Sequence, residues 1–99
     1  MNNHAKYISL AEIAYKSGHI RQAIRHAKAG LRRCESQTTS TAFRIFIARC
    51  YSKLGEYDKS NIIYRGLLNE KNYLPPIIMG LLYNNLKTST LDILKLYVR

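Results

Sequence analysis

Two glycines 37 residues apart, Gly18 and Gly55, each close a stretch of apolar residues spaced by three and four, and this recurrence constrains the fold more than any other feature. Laying Gly18 on Gly55 carries Leu10 onto Ile47, Ala11 onto Ala48, Ala23 onto Ser60 and Leu31 onto Leu68. The shift reads as a unit of about 34 residues with Thr38, Thr39 and Ser40 inserted in the connecting turn. A third, partial copy is expected from Gly80, Tyr83 and Leu86, which repeat Ala48, Tyr51 and Leu54 at a shift of 32, with Lys87 where the turn glycine belongs.

Helical spacing continues along the whole chain, and no segment alternates with the period of a strand. Breaks fall at Ser17 to His19, Cys34 to Ser40, Leu54 to Glu56, Lys71 to Pro76 and Lys87 to Thr90, where Gly, Asn, Pro, Ser and Thr supply caps and turns. Six helices are expected, approximately 4–17, 20–33, 40–54, 57–70, 75–86 and 90–98. Their short connections force antiparallel neighbours. The expectation is an all-α domain over 1–99, built of stacked antiparallel helical hairpins in about three repeats, 4–37, 41–74 and a partial 75–99. Small residues (Ala11, Ala23, Gly30, Ala48, Ser60) let helices approach closely, and large ones (Tyr7, Leu10, Tyr51, Tyr64) fill the space beside them. With turn glycines after the first helix, this pattern resembles the tetratricopeptide repeat over nearly the full length, and the resemblance implies a curved stack.

The balance of charge is strongly basic, 16 Lys+Arg against 6 Asp+Glu, a formal +10. Nucleic acid, an anionic membrane surface and an acidic protein are all admissible partners for such a chain. The densest stretch, Arg21, Arg25, Lys28, Arg32 and Arg33, falls at helical spacing and reads as a solvated outer face. Cys34 and Cys50 read as free thiols in a reducing compartment, and no apolar run approaches the ~20 residues of a membrane span. No membrane insertion and an intracellular location are therefore expected.

Catalytic chemistry needs convergent polar groups, and few are offered. Glu56 and Asp58 are the closest carboxylates and read as a solvated helix start; His4, His19 and His26 share no metal-ligand spacing with each other or the cysteines. The expectation is no enzyme, no cofactor and no metal. What remains is a surface. In a stack of helical hairpins the first helix of each pair lines the concave side. On the repeat alignment that side presents Ile8, Glu12, Tyr15 and Lys16, then Ile45, Arg49, Ser52 and Lys53, then Ile77, Leu81, Asn84 and Asn85. An apolar floor edged by cations and amides suits an amphipathic helix laid into a groove. Ile45→Asp or Leu81→Asp is then expected to abolish helix binding with helicity retained. A last helix carrying Leu91, Leu94, Tyr97 and Val98 is too apolar to stand alone, which points to a partner.

A narrower resemblance lies in Leu10-Ala11-Glu12-Ile13-Ala14 with Gly18 and Ala23, in Gly55-Glu56-Tyr57 with Ser60, and in Leu81 to Leu86 leading to Ser89, Leu91 and Leu94. These segments look like the small tetratricopeptide-type chaperones of bacterial type III secretion needle subunits. The resemblance implies a cytoplasmic protein of the bacterial cell that holds the needle subunit's amphipathic helix in its groove, prevents premature polymerisation and binds a second small helical co-chaperone, so a hetero-oligomer. Two other readings stand beside it. One is a basic helical-repeat RNA binder of the pentatricopeptide kind, against which three short repeats weigh because they read very few bases; the other is a tetratricopeptide adaptor for a different peptide.

Overall fold

The computed structural model describes residues 3–97, and its helices are α1 Asn3–Lys16, α2 Ile20–Arg32, α3 Gln37–Lys53, α4 Tyr57–Gly66 and α5 Leu74–Tyr97, with a 3-10 turn at Lys71–Tyr73. The chain is all-α, and consecutive helices pack as antiparallel hairpins. The sequence readings that touch Val98 and the extreme ends of the 1–99 domain lie outside the described residues.

The repeat is visible in the backbone. Gly18 and Gly55 occupy the left-handed region at φ 83° and 80°. His19 N–H donates to the Ala14 carbonyl at 2.9 Å and Gly18 N–H to Tyr15 at 3.1 Å; 37 residues on, Glu56 N–H donates to Tyr51 at 2.9 Å and Gly55 N–H to Ser52 at 3.0 Å. Both are the paired bonds that close a helix when the residue after it turns left-handed. His19 and Glu56 then open the second helices with matching dihedrals, φ −87°, ψ 68° and φ −88°, ψ 67°. Open space surrounds both glycines, so Gly18→Ala and Gly55→Ala meet no clash but must hold a left-handed alanine. Each is expected to lower stability by about 1 kcal/mol. Urea denaturation tests this, and a gain in stability, the usual result of Gly→Ala where φ is negative, would refute it.

In three places the helices differ from the sequence expectation by more than one residue, each for a local reason. Helix α3 starts at Gln37 rather than 40, because Ser36 caps it by accepting the Thr39 N–H at 3.2 Å. Thr38, Thr39 and Ser40 are therefore its first turn and not an inserted connection. Helix α4 stops at Gly66 rather than 70, its last turn tightening as Leu67 N–H bonds back to Tyr64. Helix α5 runs unbroken through Lys87 to Thr90, so the expected fifth and sixth helices are one. Thr88 Oγ1 donates to the Asn84 carbonyl at 2.9 Å and Thr90 Oγ1 to Leu86 at 2.8 Å. Hydroxyls that bond back one turn satisfy themselves inside a helix, and the string of Ser and Thr makes no turn.

These boundaries also correct the register of the third copy. Helix α3 begins at residue 37 and α5 at residue 74, so the shift of 37 persists and the shift of 32 is wrong. The turn glycine would recur at position 92, where Asp92 stands and the helix continues.

Helix α3 is the centre of the stack. Phe43, Ile47 and Cys50 pack back against Ala11, Ala14, Ile20, Ala23, Ile24 and Ala27 of the first hairpin. Ile45 and Ala48 pack forward against Tyr64, Leu67 and Ile77. Asn84, fully buried, joins three helices: its Oδ1 accepts from Ser52 Oγ at 2.7 Å, and its Nδ2 donates to Ser60 Oγ at 2.9 Å and Asn61 Oδ1 at 2.8 Å. Across the hairpins Arg21 lies 3.5 Å from Glu56, which Lys59 also contacts at 3.3 Å. The result is elongated, 56 × 31 × 16 Å, with a radius of gyration of 14.8 Å where a compact chain of this length has about 13 Å. Among the described residues no helix is long and apolar enough to cross a membrane.

A candidate helix-binding groove

The faces that α1, α3 and α5 turn toward one another form two successive depressions. The first, about 140 Å³, lies between α1 and α3 and is lined by Ile8, Ala11, Glu12, Thr39, Ala42, Phe43 and Phe46. The second, about 620 Å³, lies between α3 and α5, with Ile45, Arg49, Ser52 and Lys53 on one wall and Pro76, Met79, Gly80 and Tyr83 on the other. Tyr15 of α1 and Tyr64 of α4 also line it. The walls repeat: Thr39, Ala42, Phe43 and Phe46 of the first depression return 37 residues later as Pro76, Met79, Gly80 and Tyr83 of the second.

Tyr15 ties the two together. Its ring packs at 5.7 Å from that of Phe46, tilted by 58°, and the Arg49 guanidinium of the second groove lies 5.6 Å from the centre of the same ring. Lys87 lies 5.4 Å from the Tyr83 ring, so Arg49, Lys53 and Lys87 place cations about the larger groove, and no carboxylate lines it. Tyr64 reaches from α4 to the floor, where its ring lies against the backbone of Gly80; a Cβ at that position would collide with the ring. Burial pushes the Tyr64 hydroxyl pKa up, and Arg49 partly offsets it. The same burial raises the Cys50 thiol to about 11.

No family model, curated protein or solved structure matches the chain.

Of the residues expected on the concave side, seven line these depressions: Ile8 and Glu12 the first, and Tyr15, Ile45, Arg49, Ser52 and Lys53 the second. Lys16 is exposed beyond the end of the second groove's lining. The four from the third repeat are misplaced. Ile77 and Asn84 are 0% exposed and belong to the interior, Leu81 packs half-buried against the second core cluster, and Asn85 is exposed outside the groove. A register of 32 in place of 37 rotates α5 by five residues, more than a third of a turn, and so selects the wrong face. Gly80 and Tyr83 were legible as a spaced pair, and with Pro76 and Met79 they form one helical stripe at the corrected shift.

Ile45 also needs revision. It touches the groove but is only 8% exposed, wedged among Ala48, Tyr64, Leu67 and Ile77. Ile45→Asp therefore probes the core, and Leu81→Asp a half-buried position outside the lining. Exposed Met79 and Tyr83 are the residues that probe the groove without disturbing the interior.

Proposed function

We propose that the α3–α5 groove holds an amphipathic helix of a self-assembling client, and that the chain is a chaperone of a bacterial type III secretion needle subunit, acting in the cytoplasm to prevent premature polymerisation with a second small co-chaperone beside it. The observation that carries the reading is the composition of the groove: Tyr15, Pro76, Met79 and Tyr83 offer apolar surface, while Arg49 and Lys53 edge it without a carboxylate. A helix with an apolar stripe and acidic flanks answers both features. The activity is burial: a face that drives polymerisation stays covered until the client is handed on, and no bond is made or broken. Against an RNA reading stands the shortness of the stack, since so few repeats would read very few bases.

Co-expression with the needle subunit tests it. The wild-type chain is expected to keep the subunit in a soluble complex of defined mass by light scattering, and Met79→Asp with Tyr83→Asp is expected to release it to polymerise, with circular dichroism unchanged. Arg49→Glu is expected to weaken the complex about tenfold or more, because a like charge then meets the acidic flank. Retention of the client by both variants would sink the reading; so would a steep salt dependence of binding to single-stranded RNA with no binding of the client.

A further inference from the structure

Because α5 repeats α3 at a shift of 37, each face of α3 has a counterpart on α5. One face of α3 is the line Thr41, Ile45, Ala48 and Ser52, with exposures of 0, 8, 0 and 9%. Helix α4 covers the middle of that line, where Ser60 Oγ donates to the Ala48 carbonyl at 2.8 Å and Tyr64 and Leu67 share a core with Ile45 and Ala48, while Ile77 and Asn84 of α5 close on Ile45 and Ser52. The counterpart on α5 is Ile78, Leu82, Asn85 and Ser89, and all four are exposed, Ile78 at 47% and Leu82 at 53%. Leu86, beside the line, is 68% exposed. In both earlier copies the chain turns at glycine and packs its next helix back on the one before, and on α3 that helix covers this face. At Asp92 it runs straight on, carrying Leu91, Leu94 and Leu96 outward with 48, 52 and 70% exposure.

The described chain thus has both an uncovered hairpin face and an apolar helical extension with nothing to pack on. We infer that a second copy of this chain supplies what each lacks: α5 of one protomer lies antiparallel on α5 of its partner across a two-fold axis, standing where α4 stands on α3. Such a contact is self-complementary and closes, the commonest symmetry of small assemblies. Charge selects this occupant over an acidic helix. The 24 residues of α5 hold only Lys87, Asp92 and Lys95 as charged groups, whereas α2 holds Arg21, Arg25, Lys28 and Arg32 in 13 residues with no carboxylate. Two copies of a +10 chain repel least through α5. An acidic partner finds more cations on α2 or in the groove. Neither Leu82 nor Leu86 lines the groove, so this surface is separate from the one proposed for a client.

Sedimentation and light scattering over a range reaching about 100 µM test the pairing, since a dimer's population follows concentration. The wild-type chain is expected to dimerise, more tightly as salt screens the remaining repulsion. Leu82→Glu with Leu86→Glu is expected to weaken the dimer about tenfold or more, because it sets like charges across the axis, with unchanged circular dichroism because both positions are exposed. Asn85→Cys, near the middle of the line, is expected to form a disulfide-linked dimer under mild oxidation, whereas the wild-type chain, with Cys50 buried and Cys34 half-buried, does not. A monomer throughout the range overturns the inference, as does a dimer that the Leu82 and Leu86 substitutions leave intact. A dimer lost with Met79→Asp and Tyr83→Asp but kept with the Leu82 and Leu86 pair assigns self-association to the groove and also overturns it.

Discussion

Asn84→Ala is expected to lower the stability of the chain by about 3 kcal/mol, because one buried side chain makes three hydrogen bonds and each lost bond or stranded partner costs roughly 1 kcal/mol or more. For a domain near 100 residues that corresponds to a fall in melting temperature of roughly 12–20 °C. Asn84 lies on α5, Ser52 on α3, and Ser60 and Asn61 on α4, so the amide holds the third copy against the second. Apolar contact at this junction comes from Ile77 and the half-buried Tyr73 and Leu81, and it specifies the register of α5 less sharply than directed bonds do. A double-mutant cycle with Ser52→Ala isolates the pair: the two losses together are expected to fall short of their sum by about 1 kcal/mol, since each removes the same 2.7 Å bond. A cost below 1 kcal/mol for Asn84→Ala alone would mean that packing, not this network, seats α5. The groove is coupled to the same residues. Ser52 forms part of its wall, and displacement of α5 would carry off the opposite wall of Pro76, Met79, Gly80 and Tyr83.

The first two hairpins were readable because glycine leaves an unambiguous mark. Only Gly18 and Gly55 among the described residues have positive φ, and both stand where three-and-four spacing stops. The third copy lacks that mark, and without it the sequence offers two registers. Small and aromatic residues at Gly80 and Tyr83 match Ala48 and Tyr51 at 32 as well as any pattern does. Only the structure pairs them with Phe43 and Phe46 at 37, a match between unlike residues: Gly80 answers Phe43 because Tyr64 fills the space that Phe43 fills in its own copy. Helix capping was the other blind point. Ser36 and the threonines at 88 and 90 belong to the same residue class, yet Ser36 caps a helix through its side-chain oxygen and the threonines bond back within one. Residue type alone does not separate these uses; backbone context does. Cys34 and Cys50 are free thiols, the first half-buried and the second buried.

Position in the stack decides what one substitution does at three equivalent sites. Ile8, Ile45 and Leu82 occupy the same place in successive copies and are 38, 8 and 53% exposed. Ile45→Asp is expected to unfold the chain. A carboxylate there replaces apolar packing against Ala48, Tyr64, Leu67 and Ile77, and even with Arg49 one turn away the lost packing and the burial of a charge cost several kcal/mol, comparable to the ~5–10 kcal/mol that holds a domain of this size. Ile8→Asp and Leu82→Asp are expected to cost about 1 kcal/mol or less in the monomer, as exposed substitutions do. Circular dichroism and urea denaturation at low protein concentration measure all three, and a native, cooperatively folded Ile45→Asp would show that α3 is not the packed centre. The contrast arises because a repeat protein buries the same residue only where a neighbour stands on both sides. Helix α3 has α1 and α2 behind it and α4 and α5 in front, whereas α1 and α5 each face a neighbour on one side only. The leucine at the third site therefore has no folding role in the monomer, and it lies with exposed Ile78 and Leu86 in an apolar patch of the kind that marks an interaction surface.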